Sequence, residues 1–500
     1  MTGKYHPHCG TVILMKKINW EAILVNLAIL LLCIFPPSDV DLGWHLRYGE
    51  YFFQHGRILR ENIFSYTFPG YQWVNHSWLY DPIVYLVFKS GGFLLVSLFG
   101  ALLLFVAVKI LSRAVRATSL EQIIIAFAFV YLGVHSLAEG VRSRHVTFVF
   151  LAVQYLILQK RRENGHYLLI LPPLYILWAN LHGTFTEGLL YLFFVCLADA
   201  VNVCRDRKAN LPFWLKLAAI GMACGLAALI NPFGMHVFEE AFKHSSDSHL
   251  EIIDEFIKFS LILDHSIGFL IYMGIIAAGL IWQRKKEYFI EALPLAPFLY
   301  LSFNGARHIA IFALLSLPLA VKLVRPVLAG MYDLPYYRHV FRLSLVIIAV
   351  YLLVNVSRNN ILSYSWDDYC RFSTDCSEGS VQYLHDNPPK GYGFNSYDWG
   401  GYLIWRVPGI KPFIDGRMHL WQVNGHYIID DYLQLMNALG YGQNAYYGIP
   451  ISWVIIPTDS DLSKVLSSGA LAGWKTAYRD SKASIYIHEG EKHHDSLKSP

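Results

Sequence analysis

PPSDVDLGWHLRYGE, residues 36–50, follows directly on the apolar run ILVNLAILLLCIF, residues 23–35. The proline pair ends an apolar helix, and the chain then offers Asp39, Asp41, His45, Arg47 and Glu50 within a dozen or so residues. Asp39 and Asp41 are two apart, so in an extended chain both carboxylates point to one side. That arrangement suits a divalent cation such as Mg or Mn, or a shared task of accepting a proton and holding a substrate hydroxyl. Beyond Gly43, the residues Trp44, Tyr48 and Phe52 form a stripe at i, i+4 and i+8, and Gly56 is placed to end a helix. The spacing predicts a short helix lying in a membrane interface.

Composition supports the membrane reading. Of the 500 residues 55% are hydrophobic and only 16% charged, whereas soluble domains carry about 25% charged residues. The 13 Trp, 32 Tyr and 31 Phe fit wide aromatic belts. A net charge of +4, scattered along the chain, argues against nucleic acid as a partner. The first apolar run lacks a small-residue cleavage site and reads as a retained anchor. Cys33, Cys196, Cys204 and Cys224 fall in or beside apolar runs, whereas Cys370 and Cys376 stand close together in a polar region, where a local disulfide can form if that region is extracytoplasmic.

Apolar windows at about 20–36, 83–111, 120–137, 146–159, 167–180, 187–204, 213–230, 264–282, 288–303, 308–324 and 341–356 predict about eleven transmembrane helices. Compact basic clusters occupy every second connection: Arg113 with Arg116, KRR at 160–162, RDRK at 205–208, RKK at 284–286, and Lys322 to Arg342. Basic residues favour the cytoplasmic side. The expectation is a multi-pass protein of the cell (inner) membrane with a cytoplasmic N-terminus. Residues 1–356 form its transmembrane domain, with a first outer loop at about 37–82. Residues 357–500 are polar and rich in Gly, Tyr and Asp, and form a small extracytoplasmic α/β domain. There YLIWRV (402–407), WVIIP (453–457) and ASIYIHE (483–489) read as strands, and SEGSVQYLHDN (377–387) and DSDLSKVLSSGA (459–470) as helices. Asp459 or Ser460 is the expected N-cap of the second.

With that topology the unusual polar residues gather on one face. The first loop contributes Asp39, Asp41, His45, Arg47 and His76, and EGVRSRHV adds Glu139, Arg142, Arg144 and His145. WANLHGTFTEG brings Trp178, Asn180, His182 and Glu187, and EIIDEF brings Glu255. FNGARHIA brings Arg307 and His308, and FIDGR brings Asp415 and Arg417. Taken singly, each is more often a solvated or hydrogen-bonded structural residue. Recurrence at the same end of helix after helix points instead to a functional cavity.

An acidic first outer loop directly after the first span resembles the GT-C class of membrane glycosyltransferases. DVDLGWHLRYGEYFFQHGRILRENIFSYT (39–67), WVNHSWL (73–79), WANLHG (178–183), NPFG (231–234) and FIDGR (413–417) resemble a bacterial multispanning group within that class. The resemblance implies inverting transfer of a sugar from a polyprenyl-phosphate-linked donor to a glycan, lipid or protein acceptor at the outer face. It also implies a first-loop aspartate as base. Asp41, which borders the interfacial helix, is the expected base and Asp39 the second carboxylate, both also candidate metal ligands. Arg142, Arg144 and Arg307, with His145 and His308 beside them, suit the donor phosphate, because guanidinium groups bind phosphate oxygens in pairs. Trp178, Asn180 and His182 suit a wall facing the sugar. His45, Arg47, His76, Glu255, Asp415 and Arg417 complete the candidate substrate-binding set.

The rival readings are a lipid-linked glycan transporter or flippase, and a polysaccharide polymerase or ligase of another fold. Transport sites sit at broken helices near mid-membrane. No internal repeat is evident here, and the polar groups cluster at helix ends.

Overall fold

The computed structural model describes residues 19–161, 163–246, 266–440, 445–446 and 449–489. Its first part is helical: α1 Trp20–Leu32, α2 Leu42–His55, α3 Tyr80–Ala114, α4 Ser119–Leu132, α5 Val134–Leu137, α6 Arg144–Lys160, α7 Leu171–Leu181, α8 Phe185–Arg205, α9 Arg207–Ala227, α10 His236–Ser246, α11 Ser266–Gln283, α12 Lys286–Ala292, α13 Ala296–Asn304, α14 Arg307–Tyr332 and α15 Tyr337–Arg358. Every apolar window read from the sequence falls on helix. Among the described residues, six helices (α3, α8, α9, α11, α14 and α15) are long and apolar enough to cross a membrane. The other windows are shorter or divided. α1 and α4 have 13 and 14 residues, and the window at 288–303 is shared between α12, a 3-10 turn at Leu293–Leu295 and α13. Pro294 and Pro297 account for that break, since proline removes a helix hydrogen bond and crowds the preceding turn. α3 is interrupted at Gly91–Gly92, both outside helical φ/ψ, which frees its first part to pack along α2.

At the end away from the acidic loop, the basic clusters are ion-paired between helices. Arg161 meets Asp199 at 2.7 Å, Lys322 meets Glu291 at 2.6 Å and Arg325 meets Glu121 at 2.8 Å.

After α15 come α16 Trp366–Phe372, α17 Glu378–Asp386, β1 Tyr392–Asn395, α18 Gly400–Arg406, β2 Gln422–Val423, β3 His426–Tyr427, α19 Ile428–Gly440, β4 Ala445–Tyr446, β5 Ile449–Pro457, α20 Asp461–Ser467, β6 Trp474–Arg479 and β7 Ala483–His488. The sheet runs β1-β5-β7-β6, with β4 also on β5. β1 and β5 are parallel and the remaining pairs antiparallel. Ser377 and Ser460 cap α17 and α20 through their hydroxyls, and Cys370 and Cys376 are disulfide-bonded. YLIWRV, expected as a strand, is helix α18. Tyr402, Leu403 and Ile404 are all buried, and a short run buried on every side carries no period to separate helix from strand.

The C-terminal unit does not have a core of its own. Trp44, Tyr48, Leu59 and Trp73 of the first loop share one apolar cluster with Phe394, Ile404, Phe413, Ile414 and Trp421. The aromatic stripe of α2 therefore faces protein rather than a lipid interface: Trp44 and Tyr48 are buried. An aromatic stripe fits either partner, and burial of each such ring contributes roughly 1.5–3 kcal/mol.

Candidate active site

The turn after Pro37 is built by Asp39. Its Oδ1 accepts the backbone N–H of Asp41 at 3.0 Å, an Asx turn of the kind short acidic side chains favour. Asp41 then stands at the N-cap of α2 without capping it, so its carboxylate is free to face sideways. Oδ1 accepts the indole N–H of Trp44 at 2.8 Å, and Oδ2 accepts Arg142 Nη2 at 3.1 Å. Arg142 also donates from Nε to Asp39 Oδ1 at 2.6 Å and from Nη1 to Glu139 Oε2 at 3.2 Å. One guanidinium thus spans three carboxylates. Gly140, at φ +84°, brings this second loop against the first: a Cβ there would lie 2.7 Å from Pro36 O. Across the gap, Ser38 Oγ donates to Ala138 O at 2.8 Å.

The C-terminal unit closes the other side. A Cβ on Gly416, the glycine of FIDGR, would lie 1.9 Å from Asp41 Oδ1, and one on Gly401 would lie 2.7 Å from Val40 O. The Tyr369 hydroxyl donates to Asp39 O at 2.7 Å. The Asp39 side chain is 1% exposed and that of Asp41 20%. Burial, helped by the charge of Asp39 and opposed by Arg142, pushes the Asp41 carboxyl up to about 6.

A second group of charges adjoins the first. The ends of several helices meet here, with Arg144 and His145 opening α6, Arg307 and His308 opening α14, and His182 at the C-cap of α7. Arg144 Nη1 is 3.5 Å from Glu139 Oε2, and His308 Nδ1 is 3.3 Å from Glu187 Oε1. His182 Nδ1 lies 2.8 Å from Thr147 Oγ1 and 2.6 Å from Thr184 Oγ1, and its ring is 5.8 Å from that of His76. Burial, together with the charges of His76, Arg144, Arg307 and His45, holds His182 well below the usual imidazole range. Two carboxylate oxygens in this region, Asp39 Oδ2 and Glu187 Oε2, are buried without a hydrogen-bond partner. Buried oxygens of this kind call for a hydrogen-bond donor.

The remaining candidates occupy other places. His45 Nδ1 is 2.6 Å from Asp81 Oδ1, and Asn75 donates to Asp81 Oδ2 at 2.6 Å. Burial favours the neutral His45 ring, but Asp81 holds the group above its usual range. Arg47 donates to Ile404 O at 3.1 Å and Trp405 O at 3.0 Å, so it fastens α2 to the C-terminus of α18. His145 Nδ1 accepts the Arg142 N–H at 3.4 Å. Trp178 is fully buried and stacked on Phe150, which sets it in the core rather than on an open wall. Asn180 donates to Ile176 O and Ile230 O and accepts the Trp78 indole N–H, holding helix ends together. Asp415 and Arg417 form a two-pronged ion pair at 2.7 and 2.6 Å with no exposed side-chain surface. The guanidinium lies over Trp73 and Trp421. Glu255 lies outside the described residues.

The position between Asp39 and Asp41 does not fit a divalent cation, because the Arg142 guanidinium already fills it. Among the described residues no group of three or more His, Cys, Asp or Glu side chains is arranged to hold a metal. Trp44, Glu139, Glu187 and Gly416 were not among the residues expected to form the site. All four carried a signal without a role: Glu139 and Glu187 lie in the polar motifs of the outer face, Trp44 in the aromatic stripe of α2, and Gly416 in FIDGR.

No protein-family model and no curated protein matches the chain by sequence. Its fold does have solved counterparts. It superposes on the oligosaccharyltransferase AglB of the archaeon Archaeoglobus fulgidus, in complex with an inhibitory peptide and a dolichol-phosphate. That match has a TM-score of 0.54 at 12% identity, over 88% of this chain and 70% of that one. It also superposes on apo ArnT of Cupriavidus metallidurans, with a TM-score of 0.50 at 13% identity, over 93% of this chain and 97% of that one. The chain has the GT-C fold that these glycosyltransferases share.

Proposed function

We propose that the chain is a GT-C-type glycosyltransferase that moves a sugar from a polyprenyl-phosphate carrier to an acceptor at the outer face of the membrane. The observation that carries this reading is the Asp41 carboxylate, held basic and partly open beside a cluster of arginines and histidines. Asp41 accepts the proton of the acceptor hydroxyl or amide as it attacks the sugar carbon bonded to the phosphate. A single displacement of that kind inverts the carbon. The carrier phosphate leaves as an anion, so its stabilisation needs positive charge more than a general acid. Arg144 and Arg307 supply it, helped by the N-termini of α6 and α14, whose dipoles favour negative charge, with the His308 ring beside them as a hydrogen-bonding group. Arg142, held by three carboxylates, positions Asp41 rather than the phosphate. No step is assigned to a divalent cation. The AglB complex with dolichol-phosphate supports a lipid-linked donor.

A transporter is the less supported reading, since the polar groups gather at one end of the bundle rather than at mid-span. The deciding assay supplies polyprenyl-phosphate sugars to the purified protein and follows release of free carrier phosphate and labelling of acceptor. Transfer is expected, and it should survive EDTA. Movement of the intact lipid-linked sugar between leaflets without release would overturn the reading.

Within it, Arg307→Ala should raise the donor concentration needed for half-maximal rate by at least about tenfold, the scale of losing a charge-assisted contact. Arg307→Lys should recover only part. Equal donor dependence in all three proteins would remove Arg307 from the site.

For orientation, Ser467→Cys places a thiol on an exposed position of α20. It should react with a membrane-impermeant reagent on intact spheroplasts. Labelling only after permeabilisation would put the C-terminal unit, and the site with it, in the cytoplasm.

A further inference from the structure

A separate cavity of about 390 Å³ opens between the first loop, the segment around Phe233 that leads into α10, and Trp421. Its volume is at the lower end of the range for small-ligand sites. Tyr71 stacks on Trp421 with ring centroids 4.6 Å apart and planes within 18°, and the Arg60 guanidinium sits 5.8 Å from the Phe233 ring. The polar side chains of the lining are balanced in charge. Arg60 and Lys243 stand against Glu239 and Glu240, with Lys243 Nζ 3.7 Å from Glu240 and His236 Nδ1 2.8 Å from Glu239. Trp73 is a shared wall: one side lines this cavity, and its ring meets Trp44 edge-on at 5.6 Å. Trp44 is the residue whose indole holds Asp41.

We propose that this cavity binds a carbohydrate, the part of a glycan acceptor lying next to the sugar that is modified. Planar aromatic rings match the C–H faces of sugar rings, because the ring face is electron-rich and the C–H hydrogens carry partial positive charge. Paired carboxylates, guanidinium and the Gln72 amide offer donors and acceptors side by side for hydroxyl groups. The balanced charge disfavours a phosphorylated or strongly ionic ligand, which separates this cavity from the cationic cluster assigned to the donor. Trp73 and Trp44 stand between the cavity and Asp41, so a glycan bound there leaves the donor site free while its next sugar reaches past that wall. The acceptor role rests on the glycosyltransferase reading; the binding itself does not.

The test uses the full chain in nanodiscs and neutral di- to tetrasaccharides of glucose, galactose, mannose and N-acetylglucosamine. Binding is followed by saturation-transfer NMR and by tryptophan fluorescence. At least one saccharide is expected to bind saturably, with affinity lowered about tenfold in Tyr71→Ala, the scale of losing an aromatic platform and its contacts. Arg60→Ala and Glu239→Gln, at exposed positions, should weaken binding without altering thermal unfolding, and so cover the case in which Tyr71→Ala disturbs packing. No binding by any saccharide, binding unmoved by all three cavity variants, or equal binding of uncharged peptides would overturn the proposal. Saccharide binding in a protein that transfers no sugar would leave the cavity assignment standing and defeat its acceptor role. Transfer without saccharide binding would leave the glycosyltransferase reading standing and overturn the cavity assignment.

Discussion

Asp41→Asn is expected to lower sugar transfer by a factor on the order of 10² or more, the usual scale for losing a general base, in a protein that still folds. The amide keeps the side-chain size and an oxygen to accept the Trp44 indole N–H, so the turn and α2 keep their geometry. What is lost is the charge and with it the proton acceptor. On that reading the parent protein should show a matching signature in its pH profile. Burial pushes the Asp41 carboxyl up to about 6, and only the deprotonated form serves as base. The rate should therefore fall as pH drops through about 6, and level off above it, whereas an ordinary aspartate would stay active to about 4. Initial rates between pH 5 and 8 check this. Asp39→Asn should also impair transfer, because Asp39 shapes the turn and anchors Arg142. Added Mg²⁺ or Mn²⁺ should not rescue it, since the guanidinium occupies the place between the carboxylates. Near-normal transfer in both variants would make this loop structural and end the catalytic assignment.

Arg142→Ala should have the largest effect on stability. It leaves Asp39, Asp41 and Glu139 grouped without their shared cation, and stranding buried charges in this way costs about 3–5 kcal/mol. A fall in the midpoint of thermal unfolding, with loss of transfer, is the expected result. Arg142→Lys should recover little, because an ammonium cannot place three donors along the Nε, Nη1 and Nη2 directions. Adding Asp39→Asn to Arg142→Ala should restore part of the lost stability by removing one uncompensated charge. If the two losses simply add, the carboxylates are not coupled through Arg142.

The helices were legible as apolar windows, but their lengths were not, since among the described residues only six are long enough to cross a membrane; the acidic loop was legible because proline, aspartate and glycine fall in a fixed order. The gathering of Arg144, His182, Arg307 and His308 followed from placing helix ends on one side. What could not be read was the use made of each side chain. Arg142 and Arg307 look alike in sequence. Only the fold shows that the first is clasped by Asp39, Asp41 and Glu139 while the second opens α14 near Glu187. Arg47, Trp178, Asn180, Asp415 and Arg417 have the residue types of a binding site, and the structure places them in contacts that join elements far apart in the chain. Such contacts leave no periodicity to find. The same holds for α18, where the glycines that allow close approach to Val40 sit beside a run buried on all sides.

The packing of Gly416 on Asp41, and of α18 on Arg47 across 357 residues of sequence, sets an order on the birth of the protein. The acidic loop is synthesised some 357 residues before the helix that braces it. Until residues around 400–416 arrive, Trp44, Tyr48 and Trp73 have no partner cluster, and nothing fixes the Asp41 side chain from that side. A chain cut short anywhere before α18 would insert its helices and present a carboxylate loop with no defined pocket.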